Sequence, residues 1–408
     1  MSFKNYLNEA DVNSHMTHLS DLVFISGVEG TRKAVNYLRD LRNMFGHTNK
    51  NVYTVKFDGA PAVFCGIDPS DKKFFVAKKG IFNKNPVVYK TQADIDAELK
   101  GELAEKFSML LKYLPSLGIR SGIYQGDLMF THDDLKTETI DGQQMIVFHP
   151  NTIAYAVPAD SDLGKTISKA KLGIVFHTTY TGNSFETLKA SFGKSIVSKF
   201  QGSTEVWAVD ATLNNETANF TLTDKEYIMS EFLLKDIGTQ FQQIPNVLLN
   251  KISSDEELRS LVLIYINSLV RKNVRDINPV EMSKGFLQFI NDRYGKEIAA
   301  RKTEKAQSAL DAKRIAATQM FNLYTHEQIA SVFELAKSID LLKDLLLTKM
   351  RKINNMSHFI KTKYGFKVTN PEGFVAISST NGEAIKLVDR FEFSQANFSP
   401  EVIKGWQR

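Results

Sequence analysis

Apolar and polar positions repeat with two different periods along this chain. From 51 to 82, β-branched and aromatic residues alternate with polar ones, so NVYTVKF, PAVFCGI and KFFVAKK each predict a strand. The last two are joined through Asp68-Pro69-Ser70-Asp71, residues that favour a tight turn. The alternation returns at 371–393, where FVAIS and AIKLV flank Asn381-Gly382, a strong hairpin signal. Between them, from about Thr223 to Lys363, the period is helical. Ile329, Val332, Phe333, Ala336 and Ile339 share one helical face, with lysines elsewhere. Thr223/Glu226, Ser254/Glu257 and Thr325/Gln328 each have the spacing of a capping box, which satisfies the orphan amides of a helix start. The block predicts five or six helices. A further amphipathic stretch, Leu19 to Phe45, predicts a helix packed on the outside of the sheets.

Strand sequences flanking helical ones define an α+β class with an all-α inserted domain. The expected boundaries are an amino-terminal helical segment over 1–50, a sheet domain over 51–220, the helical insertion over 221–364, and the end of the sheet domain over 365–408.

Composition narrows the class. The 408 residues are 43% hydrophobic and 24% charged, which supports packed cores and excludes a disordered chain. A single cysteine, Cys65, excludes a disulfide framework and cysteine-based zinc or iron–sulfur sites. The polar opening of the chain is no secretory signal, and the longest apolar run, LVLIYINSLV, is too short to span a bilayer. The expectation is a soluble cytoplasmic protein. Net charge is only +5, but from Lys296 to Lys367 fourteen Lys and Arg face seven Asp and Glu, while the rest is slightly acidic. Lys349, Arg351 and Lys352 form the densest part of that basic block, a candidate contact for a phosphate backbone.

The candidate chemistry begins at Lys56-Phe57-Asp58-Gly59, at a strand end. A lysine becomes a nucleophile when desolvation or neighbouring cations let its ammonium lose a proton. Further along stand Asp127 in GIYQGDL, Phe176 in the apolar GIVFH, Glu372 in PEGFV and Lys386 in AIKLV. His177, His149 and the His15/His18 pair have no cysteine or clustered third partner to make a metal site. Gly27 to Gly30, GVEG, lacks the ending of a phosphate-binding P-loop.

The order lysine, acid, aromatic, Glu-Gly, lysine resembles the covalent nucleotidyltransferase superfamily of ATP-dependent DNA and RNA ligases and capping enzymes. It is most similar to the phage-type RNA ligases, and HLSDLVFISGVEGTRKAVNYLRDL resembles uncharacterised proteins of large tailed phages. The likeness spans roughly 50–205 and 365–393. It implies a ligase-type adenylyltransferase domain of twisted, mainly antiparallel sheets. It implies that Lys56 attacks the α-phosphate of ATP and that Asp58 and Gly59 complete its motif. Lys79, or its competitor Lys78, would contact nucleotide or 5′-phosphate, Asp127 the ribose, Phe176 the adenine ring, and Lys386 the α-phosphate. Glu372 would hold Mg²⁺, with Mn²⁺ able to substitute. The implied activity joins 5′-phosphate to 3′-hydroxyl ends of nucleic acid, RNA in preference to DNA, in the cytoplasm of an infected host cell if the protein is a phage one. Rival expectations are a nucleotidyltransferase with another acceptor, or a non-catalytic phage structural or nucleic-acid-binding protein.

Three features depart from the pattern. The second lysine of the last motif is replaced by Val388, with Arg390 the nearest cation. A strict two-residue turn at Asn381-Gly382 pairs Ile377 with Lys386 and puts Glu372 and Lys386 on opposite faces, so a bulge or longer loop is required. Only eighteen residues follow Arg390, too few for a carboxy-terminal OB domain.

Overall fold

A computed structural model describes residues 16–46, 50–213, 221–350, 356–392 and 399–405. The strands form three sheets. The first contains β1 (Thr17–His18), β2 (Val52–Lys56), β14 (Gly373–Ile377) and β15 (Ala384–Val388), ordered β1-β15-β14-β2. The second contains β3 (Ala62–Ile67), β4 (Phe74–Ala77), β5 (Ile123–Thr131), β9 (Leu172–Thr181), β10 (Lys189–Phe192) and β11 (Val206–Asp210). Its order is β10-β9-β5-β3-β4, with β11 joining β9 in parallel. The third contains β6 (Lys136–Ile140), β7 (Gln143–Phe148), β8 (Ile153–Pro158), β12 (Ser357–Thr362) and β13 (Gly365–Val368), ordered β13-β12-β8-β7-β6. Pairing is antiparallel except for β1–β15 and β9–β11. The class is α+β with mainly antiparallel sheets.

Strand alternation sorts side chains into layers. Tyr53, Val55, Phe374, Ala376, Ile385 and Leu387 of the first sheet join the core that runs into the helices. Thr54, Lys56 and Val375 face the other way. In the second sheet Val63, Cys65, Leu128, Ile174 and Phe176 pack on Ile95, Phe107 and Leu110, borne by α2 (Gln92–Glu98) and α3 (Gly101–Tyr113). A short α4 (Asp162–Lys169), capped by Ser161, follows β8.

Among the described residues, seven helices occupy Asp224 to Met350: α5 (Asp224–Gln243), α6 (Asn246–Ser254), α7 (Glu256–Arg271), α8 (Pro279–Ala299), α9 (Glu304–Thr318), α10 (Met320–Leu323) and α11 (His326–Met350). The capping boxes at Thr223/Glu226 and Thr325/Gln328 are formed. At the third place Ser254 instead closes α6, and Asp255 accepts from Leu258 N at 3.1 Å to cap α7. The helical block also ends earlier than its lysine-rich sequence suggests. Residues 357–362 and 365–368 are strands, and Phe359 packs on Met145 and Val147 of the third sheet.

The amino-terminal helix α1 (Leu22–Met44), broken at Gly27 by φ +53, is not an outer layer. Phe24 meets Phe333 with ring centroids 5.7 Å apart, and Leu22, Leu38 and Leu41 share one core with Leu248, Ile290 and the first sheet. Asp40 accepts from Asn51 N at 2.9 Å and Tyr53 OH at 3.0 Å, tying the helix to the start of β2. No helix among the described residues is long and apolar enough to cross a membrane.

Candidate functional site

A cleft of about 1140 Å³ separates the first and second sheets. Thr54, Lys56 and Val375 line one wall, and Phe64, Gln125, Asp127, His177 and Tyr180 the other. Lys56 ends β2, where the chain crosses to β3, and its Nζ forms an ion pair with Glu372 while a quarter of the side chain stays exposed. Lys56 is the electrostatic centre of the site. Burial raises both Glu372 and Asp127 to about 7; the Lys56 charge opposes that rise and the Asp58 charge adds to it. Glu372 Oε2 is buried without a hydrogen-bond partner. Lys386 is half-buried, and burial, then Lys56, lowers its ammonium below the usual lysine range.

The structure therefore places Lys56, Asp127 and an exposed Lys79 on the cleft; Glu372 joins them through its ion pair with Lys56 but lines a small neighbouring pocket with Asn370 and Glu392, and neither Lys386 nor Lys78 lines the cleft. The connection from β14 to β15 is longer than a two-residue turn, but it does not change faces: Ile377 pairs with Ala384 in place of Lys386, and Ser378 N donates to Glu383 O at 2.9 Å. That two-residue shift preserves faces, so Lys386, Val375 and Thr54 lie in one cross-strand row. Glu372 reaches Lys56 because it precedes the strand, at Gly373, whose φ of +147 breaks the alternation.

Three expected contacts are different in the structure. Asp58 does not face the cleft: it is buried, and its carboxylate accepts from Asn151 Nδ2, Thr152 N and Ile153 N, each at 2.8 Å. It anchors the turn after Lys56 to the start of β8. Gly59 serves packing, since a Cβ there would lie 2.6 Å from the Cβ of Asp127. Phe176, expected to stack on a nucleobase, is 1% exposed and packs on Tyr124 and Phe200. The reason is a β-bulge. Gln125 pairs with Thr178 but Gly126 with Phe176, so His177 is the extra residue and faces the cleft in place of Phe176.

His177 places Nε2 3.5 Å from Asp127 and Nδ1 2.7 Å from Thr178 Oγ1; burial, then Lys56, lowers it to about 4, so it is neutral at pH 7. Phe64, Phe82 and Tyr180 form an aromatic group on the cleft wall, with Phe82 and Tyr180 centroids 5.3 Å apart. Tyr180 OH donates to Gln125 Oε1 at 2.7 Å. Sequence reasoning missed these residues; the aromatic in GIF, next to Lys79, was the one available signal.

Arg390 cannot stand in for the missing lysine, because it is buried in an ion pair with Asp21. Of the basic cluster, Lys349 is paired with Glu226 at 2.6 Å, and Arg351 and Lys352 lie outside the described residues, as does His15. Among the described residues, no group of three His, Cys, Asp or Glu side chains stands at metal-ligand spacing. Glu372, with its unpartnered oxygen, and Asp127 are the carboxylates here that fit a divalent ion completed by phosphate oxygens.

No curated protein and no solved structure matches the chain. Residues 13–402 match a family of unknown function, DUF6267, and with nearly the whole sequence matched the chain belongs to that family.

Proposed function

We propose that the protein is an ATP-dependent nucleotidyltransferase of the polynucleotide-ligase kind, with Lys56 as its nucleophile and RNA as its preferred substrate. One observation carries the reading: a strand-end lysine opens onto a large cleft and is held by a carboxylate raised to about 7, with a second such carboxylate nearby. Glu372 thereby fixes the Lys56 Nζ beside the cleft, and Lys56 would release its proton to solvent before attack. Nζ would then attack the α-phosphorus of ATP, forming a P–N bond as the bond to the bridging oxygen breaks and pyrophosphate leaves. A polynucleotide 5′-phosphate oxygen would next displace lysine at that phosphorus. Finally a 3′-hydroxyl would attack the activated 5′-phosphate and release AMP. Glu372 and Asp127 would hold Mg²⁺, which offsets charge on phosphate oxygens. Lys79 and Lys386 supply further positive charge, and the Phe82–Tyr180 group replaces Phe176 as the candidate stacking surface.

A ligase-type fold agrees with two sheets enclosing the cleft and with strands from both ends of the chain completing the first sheet. The test is incubation with α-labelled ATP and Mg²⁺, then denaturing electrophoresis. Label should stay on the wild-type chain and fall to background in Lys56→Arg, which keeps its charge but cannot be deprotonated to attack. Labelling of Lys56→Arg would refute the nucleophile. A second reading, transfer to another acceptor or a retired site, is favoured by the sealing of Arg390 against Asp21. Label that never passes to a 5′-phosphorylated oligonucleotide supports the first form, and no label at all the second.

A further inference from the structure

The hairpin of β12 and β13 is the edge of the third sheet, and its chemistry is unlike that of its surroundings. From Leu345 to Pro371 the chain carries six Lys and Arg and no Asp or Glu. Three of these, Lys361, Lys363 and Lys367, belong to the hairpin, and none has an ion pair among the described residues. Two instead lie by rings: Lys361 Nζ is 5.6 Å from the centroid of Phe366, and Lys363 Nζ 4.9 Å from that of Tyr364.

Tyr364 is 81% exposed at the tip, in a two-residue turn between the paired Thr362 and Gly365. Such turns favour Asn, Asp and Gly, so a tyrosine there is not explained by turn chemistry. Nor does the ring hold the turn. Thr362 Oγ1 accepts from Tyr364 N at 3.2 Å and donates to Gly365 O at 3.1 Å, and Gly365 takes the unusual φ of +119. Val368, 72% exposed, closes the strand, and four residues on comes Glu372. Thr369 N donates to His358 O at 2.9 Å, while β12 pairs with β8, whose start holds Asp58. The hairpin is thus tied to both partners of the Lys56 turn.

An exposed ring flanked by unpaired cations combines two attractions that a single strand of nucleic acid uses together, base stacking and phosphate neutralisation. An acidic protein surface would need the cations but not the ring, and a lipid surface would need more apolar area than one ring and one valine. We propose that the Lys361–Val368 hairpin binds single-stranded polynucleotide, with a base stacked on Tyr364 and phosphates facing Lys361, Lys363 and Lys367. The inference deepens the covalent-transfer reading and rests on it for the chemistry the held strand meets at Lys56; the binding itself needs no transfer.

The experiment measures fluorescence anisotropy of a short labelled oligouridylate with the full chain across a salt series. Tyr364→Ala should weaken binding about tenfold while Tyr364→Phe stays near wild type. Replacing Lys361, Lys363 and Lys367 with Gln should flatten the slope of log affinity against log salt by about 2, at about 0.7 for each phosphate contact to a single strand. Unaltered melting curves in these variants establish that the fold is kept. Wild-type affinity and slope in both Tyr364→Ala and the triple variant would overturn the proposal. So would a loss confined to phosphatidylglycerol vesicles or polyglutamate. If Lys56→Arg and wild type alike take no label from ATP but binding still depends on the hairpin, the transfer reading fails and this inference stands. If wild type is labelled and the hairpin variants bind normally, the reverse holds.

Discussion

Two charged clusters meet around β14 and β15, and they follow different rules. At the cleft, Lys56 faces Asp127 and Glu372, both raised to about 7, and Lys79 on the same wall has no ion pair among the described residues. Where the first sheet meets the helices, each cation is matched to an acid in an ion pair, although Asp21 Oδ1, Arg390 Nε and Asp344 Oδ1, like Glu372 Oε2, have no hydrogen-bond partner. Arg390 pairs with Asp21, and Lys343, almost wholly buried, donates to Asp340 at 2.7 Å and to the Val388 carbonyl at 2.9 Å. Burial works against the Lys343 charge, yet Asp340 and Asp344 hold its ammonium above the usual range. The matched cluster ties the amino-terminal segment, α11 and β15 together. The unmatched one opens onto a cleft, the arrangement expected where charge is kept for a ligand and not for the fold.

Breaking the matched cluster should have the largest effect on stability. Arg390→Leu strands the buried Asp21 carboxylate, so chemical denaturation should show a loss of about 3–5 kcal/mol, with labelling from ATP retained by the folded fraction. A loss below about 1 kcal/mol would mean that the pair is not a structural tie.

The unmatched cluster predicts a dependence on pH. Asp127 and Glu372 have folded pKa values above their unfolded ones, so the folded state keeps protons that the unfolded chain has released. The contribution of these two carboxylates to stability should therefore fall as pH rises from the ordinary carboxylate range through about 7, by on the order of 2–3 kcal/mol, in metal-free buffer, while His177 and His358, lowered to about 4 by burial, act in the opposite sense below about 6.5. Asp344, raised to about 6 by burial, adds to the same slope. Denaturation of wild type and Asp127→Asn at pH 5 and pH 8 isolates the Asp127 share: the variant should gain stability relative to wild type at pH 8 compared with pH 5, and an equal difference at the two pH values would refute it.

Glu372→Gln should sharpen the contrast by separating stability from function. Removing a carboxylate that burial disfavours should leave stability at pH 8 unchanged or raise it by about 1–2 kcal/mol, while labelling from ATP falls steeply. A destabilised variant with normal labelling would place Glu372 in the matched class. The smallest effect is expected at Lys349, whose pair with Glu226 is partly exposed: Lys349→Ala should cost less than about 1 kcal/mol in denaturation and leave oligonucleotide affinity unchanged.

Sequence pattern served well where structure is local. The strands at 52–56, 62–67, 74–77, 373–377 and 384–388, and the boxes at Thr223 and Thr325, depend on residues only a few positions apart. The hairpin at 357–368 was hidden because Lys363-Tyr364 lacks a hairpin turn signature and its lysines continue the polar face of the helix before it. Amphipathicity shows that the helix at 22–44 buries a face and not against what, so only the structure puts it between the first sheet and the helical block.

The same division runs through the site. By itself the sequence determined that a lysine ends a strand before Asp-Gly, that an acid follows in GIYQGDL, and that Glu-Gly and a lysine come from a hairpin near the far end of the chain. Only the tertiary structure decided which of them share a cleft. His177 replaced Phe176 there because β5 and β9 pair out of step by one residue, and Asp58 turned inward because the amides of Thr152 and Ile153 waited for its carboxylate. Both outcomes depend on segments roughly 50 to 95 residues apart meeting in one register, and no periodicity within either segment encodes that register.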